Sequence, residues 1–152
     1  MAELRPGIFV ELGSALGAAA ELKAREALLQ LGAAAERQAK INASSGSHAR
    51  GTKTPARPGS GPAIISGTLR RSLIHTEPLR VSAGWEARVG TMPGQVPPYS
   101  RNSTSSRYGL ALETGLRNGA TYPFLGPAVR FVRVIVLPQV MVAVFRSGWP
   151  HL

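Results

Sequence analysis

The stretch Ser66-Gly67-Thr68-Leu69-Arg70-Arg71-Ser72-Leu73 divides the chain into two kinds of material. Behind it comes a segment that reads as the first strand of a sheet. Ahead of it lies a basic arm, 43–65. From Asn42 to Pro62 this arm is built from Ser, Gly, Pro, Arg50, Lys53 and Arg57, with no aromatic side chain. Such a composition cannot bury enough apolar surface to order itself, and it reads as a linker or as an arm that orders against a partner. Within the stretch, Gly67 can take backbone angles closed to other residues. Ser66 or Thr68 can cap a turn of helix. Alone, it is a short basic turn.

Upstream, residues from about Ile8 to Ile41 read as a long helix. Leu12, Leu16, Ala19, Leu22, Leu29 and Ala33 recur at spacings of three, four and seven, the pattern of an amphipathic helix. Acidic residues lead, and Arg37 and Lys40 close it, as the helix dipole favours. Gly13 and Gly17 mark a candidate break.

Downstream, Ile74–Val81 and Trp85–Gly90 flank Ser82-Ala83-Gly84, a hairpin pattern. Trp85, Ala87 and Val89 alternate with Glu86 and Arg88, as in a half-buried strand. A second loop, 92–107, is rich in Pro, Gly, Ser and Asn. Tyr108–Thr114 reads as a third strand closed by Gly115. Pro127 suits a helix start. Ala128–Phe145 then has helical spacing at Ala128, Phe131 or Val132, Ile135 and Val142, although its valines also permit strands. Pro138 should kink that helix or separate two strands. The expected fold is a single α+β domain over 1–152: a long N-terminal helix, a small antiparallel sheet, a C-terminal helix and long loops or arms.

Composition narrows the function. The 152 residues carry 18 Lys+Arg against 8 Asp+Glu, a formal net charge of +10. No acidic residue lies between Glu36 and Glu77 or after Glu113. An arginine-rich surface favours phosphate or carboxylate partners. Cysteine is absent, which removes disulfides, a thiol nucleophile and thiolate metal sites. His48, His75 and His151 are scattered and show no metal-ligand spacing. No serine stands in a nucleophile elbow, and no glycine-rich phosphate loop with its lysine is present. No catalytic, cofactor or metal residue is expected. The run Val129–Phe145 contains Arg130, Arg133 and Pro138, which argues against a membrane span. No secretory leader is legible, and a soluble protein is expected. The basic segment Arg50–Arg71 has two readings: contact with DNA phosphates or an acidic protein surface, or a solvated loop.

The order of the pieces resembles the tail-completion, or neck, proteins of long-tailed bacteriophages. The motifs that carry the resemblance are Ser66–Leu73, a hairpin ending Val89-Gly90-Thr91, Tyr108-x-x-x-Leu112-Glu113-Thr114-Gly115, and Tyr122-Pro-Phe-Leu-Gly-Pro-Ala128. Each is weak alone; together and in order, across residues 8–145, they are more specific. Tyr122 and Gly126 depart from the family, which often has arginine at both places. The resemblance implies a structural protein of the virion, made in the host cytoplasm, whose ring joins the DNA-filled head to the tail. A hexamer is expected, with a dodecamer as the alternative. Its partners would be other neck, connector and tail proteins, with non-specific contact to genomic DNA and none to a membrane. Arg50, Lys53, Arg57, Leu69, Arg70, Arg71, Tyr108, Glu113, Tyr122 and Phe124 are the expected subunit or partner contacts. Tail terminator and head-closure stopper are alternative neck roles. A basic nucleic-acid-binding protein using 43–71 is the alternative from another class.

Overall fold

The computed structural model describes residues 7–9, 18–47, 49, 56–82, 84–96 and 104–146. The elements are β1 (Gly7–Phe9), α1 (Ala18–Asn42), α2 (Thr68–Ser72), β2 (Leu73–His75), β3 (Leu79–Val81), β4 (Gly84–Thr91), α3 (Ser105–Thr114), α4 (Leu125–Phe131), a π-helical turn (Val132–Val136) and α5 (Leu137–Arg146). The α+β class holds, with a long helix first, a small antiparallel sheet and a helix last.

The described part of α1 begins at Ala18; the expected helical positions Leu12 and Leu16, and the candidate break at Gly13 and Gly17, lie outside the described residues. Ile8 instead belongs to β1, where it pairs with Ala87. The helix also buries a different face. Ala20, Ala24, Ala27, Leu28, Leu31, Ala35 and Ala39 are inside, whereas Leu22 is 67% exposed. The small alanines let α1 approach the sheet and the last helix closely; on the other face Leu22 stays outside and Leu29 is half-buried. Its C-terminus is fully accounted for, as exposed or buried carbonyls require. The carbonyls of Ala39, Lys40, Ile41 and Asn42 accept from Ala43 N, Ser44 Oγ, Ser44 N and Ser45 Oγ.

The sheet order is β1-β4-β2, all antiparallel, with β3 also on β4. The expected strand Ile74–Val81 is therefore two strands along one edge of β4. Their registers, Leu73↔Thr91 to His75↔Val89 and Leu79↔Glu86 to Val81↔Gly84, differ by one residue. This is the signature of a bulge, and Pro78, which cannot donate to the ladder, lies within it. Ala87 and Val89 are buried as their alternation requires.

Tyr108–Thr114 is not a strand but most of α3. Its buried residues, Ser105, Gly109 and Leu112, follow the helical period, and Thr104 Oγ1 caps the start by accepting from Arg107 N at 3.3 Å. The apolar alternation of Tyr108, Leu110 and Leu112 imitates a strand, yet Leu110 is exposed.

The last element is one continuous helical run through α4, the π turn and α5. Pro138 neither stops it nor splits it into strands. The wide π turn lies directly before Pro138, which gives the ring room against the preceding turn. Buried Ala128, Val132 and Val140 are four or eight residues apart. In an α-helix each four-residue step drifts by about 40°, and the wider turn takes up part of that drift. Ile135 and Val142, expected inside, are exposed. Among the described residues, Leu125–Val144 is one helix long and apolar enough to cross a membrane by length and composition.

Candidate functional site

The sequence motifs converge on Gly109. A Cβ added there would lie 3.2 Å from Leu69 Cδ1, 3.4 Å from Phe124 Cζ and 3.4 Å from Thr91 Cγ2. Those four residues come from α2, β4, α3 and the segment opening α4. A glycine inside a helix costs up to about 1 kcal/mol against alanine; here it permits close approach of three other segments. Phe124, fully buried, is the centre of the cluster.

Ser66–Leu73 forms the lip of this cluster. Gly67 has φ +72°, a left-handed conformation that glycine adopts without penalty. Ser66 Oγ accepts from Thr68 N at 3.3 Å, a local turn bond ahead of the helix; the cap position of α2 is Gly67 itself, without a side-chain cap bond, so the expectation for the glycine holds and the expected serine or threonine cap is not formed. Buried Ser72 donates its Oγ to Leu69 O at 2.7 Å, and its carbonyl accepts from Met92 N at 2.6 Å. Leu69 is half-buried against the core, and Arg70 and Arg71 are exposed.

Glu113 closes the cluster at the other end. Its Oε2 accepts from Phe124 N at 2.9 Å and Leu125 N at 3.1 Å, and its Oε1 from Gly126 N at 2.7 Å. Residue 127 is proline and has no N–H. The four backbone positions that open α4 thus leave no unmet donor. A carboxylate at that end also complements the helix dipole. Glu113 is therefore an internal helix cap, not a free carboxylate on a strand edge. Any side chain at 126 meets it, since a Cβ there would lie 2.9 Å from Glu113 Oε1. This is a local reason for glycine where the resembling family often has arginine.

Of the expected contact residues, Tyr122 and Phe124 are buried within the chain; they build the core and present no surface. Tyr122 N donates to Leu112 O at 2.7 Å. Tyr108 lies partly at the surface beside Tyr122; burial pushes its phenol pKa up, and the neighbouring Tyr122 adds to the effect. Arg57 is exposed. Arg50 and Lys53 lie outside the described residues.

The arm is attached at both ends, against the expectation of a segment with no order of its own. Ser45 N donates to Pro62 O, Ile64 N to Gly46 O, and Gly59 N to Thr121 O. Ala43 and Pro62 are buried. Asn42 Nδ2 donates to Phe124 O at 3.0 Å, which joins the end of α1 to the same cluster.

A second cluster joins α1 to the sheet. Glu36 Oε2 accepts from His75 N at 3.1 Å and lies 2.5 Å from His75 Nδ1, while Oε1 pairs with Lys40. Burial alone would raise the Glu36 pKa. The hydrogen bonds from Lys40 and His75 outweigh it and hold the carboxyl below its usual value of 4.5. Gly32 leaves room for the imidazole, with a Cβ there falling 3.1 Å from His75 Cδ2. Among the described residues, no group of three or more His, Asp or Glu is arranged to hold a metal ion.

What the residue types alone concealed is an outward apolar stripe on the last helix. Phe131, Val134, Ile135 and Val142 are exposed, as is Pro138 between them. Their spacing of three, four and seven is visible in the sequence, but it does not distinguish an inner face from an outer one. Comparison with family models, curated proteins and solved structures finds no match to this chain.

Proposed function

We infer that the chain is a structural protein of the bacteriophage head–tail junction, a neck or tail-completion protein that acts by assembling into a ring. One observation carries this reading. The segments whose order resembles that family, Ser66–Leu73, Val89–Thr91, Tyr108–Gly115 and Tyr122–Ala128, pack on one another around Gly109 and Glu113. Motifs that form one structural unit make a better basis for a fold resemblance than motifs scattered over the surface. The α+β architecture and the abundance of exposed apolar side chains on a small basic subunit support the same reading, since such patches mark interaction surfaces. The role is assembly, with a hexameric ring as the expected form and other neck, connector and tail proteins as its neighbours.

The test is genetic. Deleting the coding sequence from the genome that carries it should let filled heads and finished tails accumulate unjoined, visible by electron microscopy of the lysate. Normal joined particles, or a producing host that makes no particles at all, would overturn the reading.

A further inference from the structure

The fold leaves one face of the last helix uncovered. Phe131, Val134, Ile135 and Val142 are 40%, 62%, 45% and 49% exposed, with exposed Pro138 between them. Although Leu125–Val144 is long and apolar enough to cross a membrane, only 17% of its most apolar stretch is buried within the chain. Ala128, Val132 and Val140 seat the inner face in the core, so much of the remaining apolarity points outward. Exposed Arg130 lies one turn before Val134, exposed Arg146 one turn after Val142, and exposed Arg133 beside the stripe. No carboxylate occurs from Leu125 to Arg146, and Gln139 is the only side chain there with an amide or hydroxyl group.

We propose that this face binds an anionic lipid surface, with the helix lying in the plane of the headgroups and not spanning the bilayer. An apolar stripe flanked by cations is the pattern of helices that rest about 5–10 Å into the boundary between headgroups and acyl chains. Arginines at each end of the stripe would meet lipid phosphates bidentately while their stems stay on the apolar side. The net charge of +10 adds attraction to an anionic leaflet. A bilayer also asks the face for no hydrogen bonds beyond those to its phosphates. A protein partner would ask for about ten, which here only Gln139 and the arginines supply. The inner face stays packed on α1, so the helix docks without leaving the fold. A second copy of this chain is a poorer occupant. Two copies meeting through this face would set arginine against arginine, a costly juxtaposition. Elsewhere every described carboxylate is already engaged. Glu21, Glu26 and Glu77 pair with Arg80, Lys23 and Arg25, and Glu36, Glu86 and Glu113 are held inside the fold. The described surface thus offers the stripe no acidic seat. The proposal goes beyond the neck reading, whose resemblance implies no membrane contact.

The chain has no cysteine, so a single fluorescent label can be placed in the full-length protein. Val134→Cys carrying an environment-sensitive dye should brighten and shift to the blue on phosphatidylglycerol vesicles. A quencher in the acyl chains of those vesicles should dim it. The same dye at Leu22→Cys, an exposed position on α1, should respond to neither, which separates seating of the stripe from adhesion of a basic protein to any anionic surface. Phosphatidylcholine vesicles should hold the protein about tenfold or more weaker. Each cation beside an anionic surface contributes about fivefold in affinity, so Arg130→Gln/Arg133→Gln should weaken binding in a vesicle flotation assay by about twentyfold. Both arginines are exposed, and circular dichroism should confirm unchanged folding. Vesicle binding without a response at position 134 would overturn the proposal in favour of another basic surface. A dye at 134 that brightens with protein concentration and no lipid would overturn it in favour of a second copy. A dye at 134 silent in both settings would overturn it and leave the stripe to a foreign acidic protein. The genetic experiment decides the neck role separately in every case.

Discussion

Glu113 Oε1 accepts a hydrogen bond from Gly126 N at 2.7 Å, across thirteen residues of chain. With Oε2 on Phe124 N and Leu125 N, one side chain from α3 caps the start of the last helix. Glu113→Ala removes the acceptor for three donors. An orphaned buried donor costs about 1–3 kcal/mol, but this site is partly open to water, so a loss in the lower half of that range is expected. Glu113→Gln keeps one acceptor oxygen and should lose less. Urea denaturation followed by circular dichroism orders the three proteins, and a Glu113→Ala protein as stable as the parent would refute the capping role.

Gly109 makes a second prediction in which two effects oppose. Alanine there gains up to about 1 kcal/mol of helix propensity but places a methyl 3.2 Å from Leu69 Cδ1. Gly109→Ala should therefore change the melting temperature little. Gly109→Val adds bulk among Leu69, Phe124 and Thr91 and should cost about 1–3 kcal/mol, the usual range for overpacking. Calorimetry of the pair separates crowding from propensity.

Gly61 tests whether the arm is part of the fold. A Cβ at Gly61 would overlap the carbonyl oxygen of Asn42, a backbone atom that cannot rotate away, whereas one at Gly90 meets nothing within 4 Å. Gly61→Ala should lower the denaturation midpoint, with Gly90→Ala as the near-neutral control. Deleting 43–62 outright should be worse, although the arm's composition implies a dispensable segment. It removes buried Ala43 and Pro62 and the Ser44 and Ser45 groups that finish α1. A deleted protein with an unchanged thermal transition would show that the composition was the better guide.

Glu36 couples folding to acid. Its folded-state pKa lies below the usual 4.5, so the folded state favours the ionised form. Stability from this group is fully present above its unfolded pKa, near 4.5, and is lost as pH falls through the lower folded value. Glu36→Gln should flatten that part of the stability curve, leaving less change between pH 5 and pH 3 than in the parent. Equal acid dependence in the two proteins would assign the loss to other carboxylates.

Much of the fold is legible in the sequence, for identifiable reasons. The hairpin of β3 and β4 depends on alternation and a short turn, both local properties. The existence of α1 and of the last helix follows from spacing over many turns. Which face of α1 turns inward does not, because alanine is buried when a neighbour comes close, and that depends on the neighbour. Tyr108–Thr114 satisfies a strand's alternation and a helix's period at once. The choice between them lies with Leu69, Thr91 and Phe124, residues distant in sequence that close over Gly109. The cap by Glu113 is likewise invisible until α3 and α4 are side by side, so a carboxylate that reads as a partner contact is an internal one.

The π turn at Val132–Val136 makes the length of the last helix matter as well as its composition. A π turn holds one residue more than the α turn it replaces. An in-frame loss of a single codon there would leave a regular helix, with Val140 and the outward stripe facing nearly as they do now, because the extra residue is what the wide turn absorbs. A single-codon loss elsewhere in the helix would instead rotate every residue beyond it by about 100°. Natural variation along this helix should therefore accept a single-codon gap at Val132–Val136 and avoid one at other places, a pattern of facing kept while letters change.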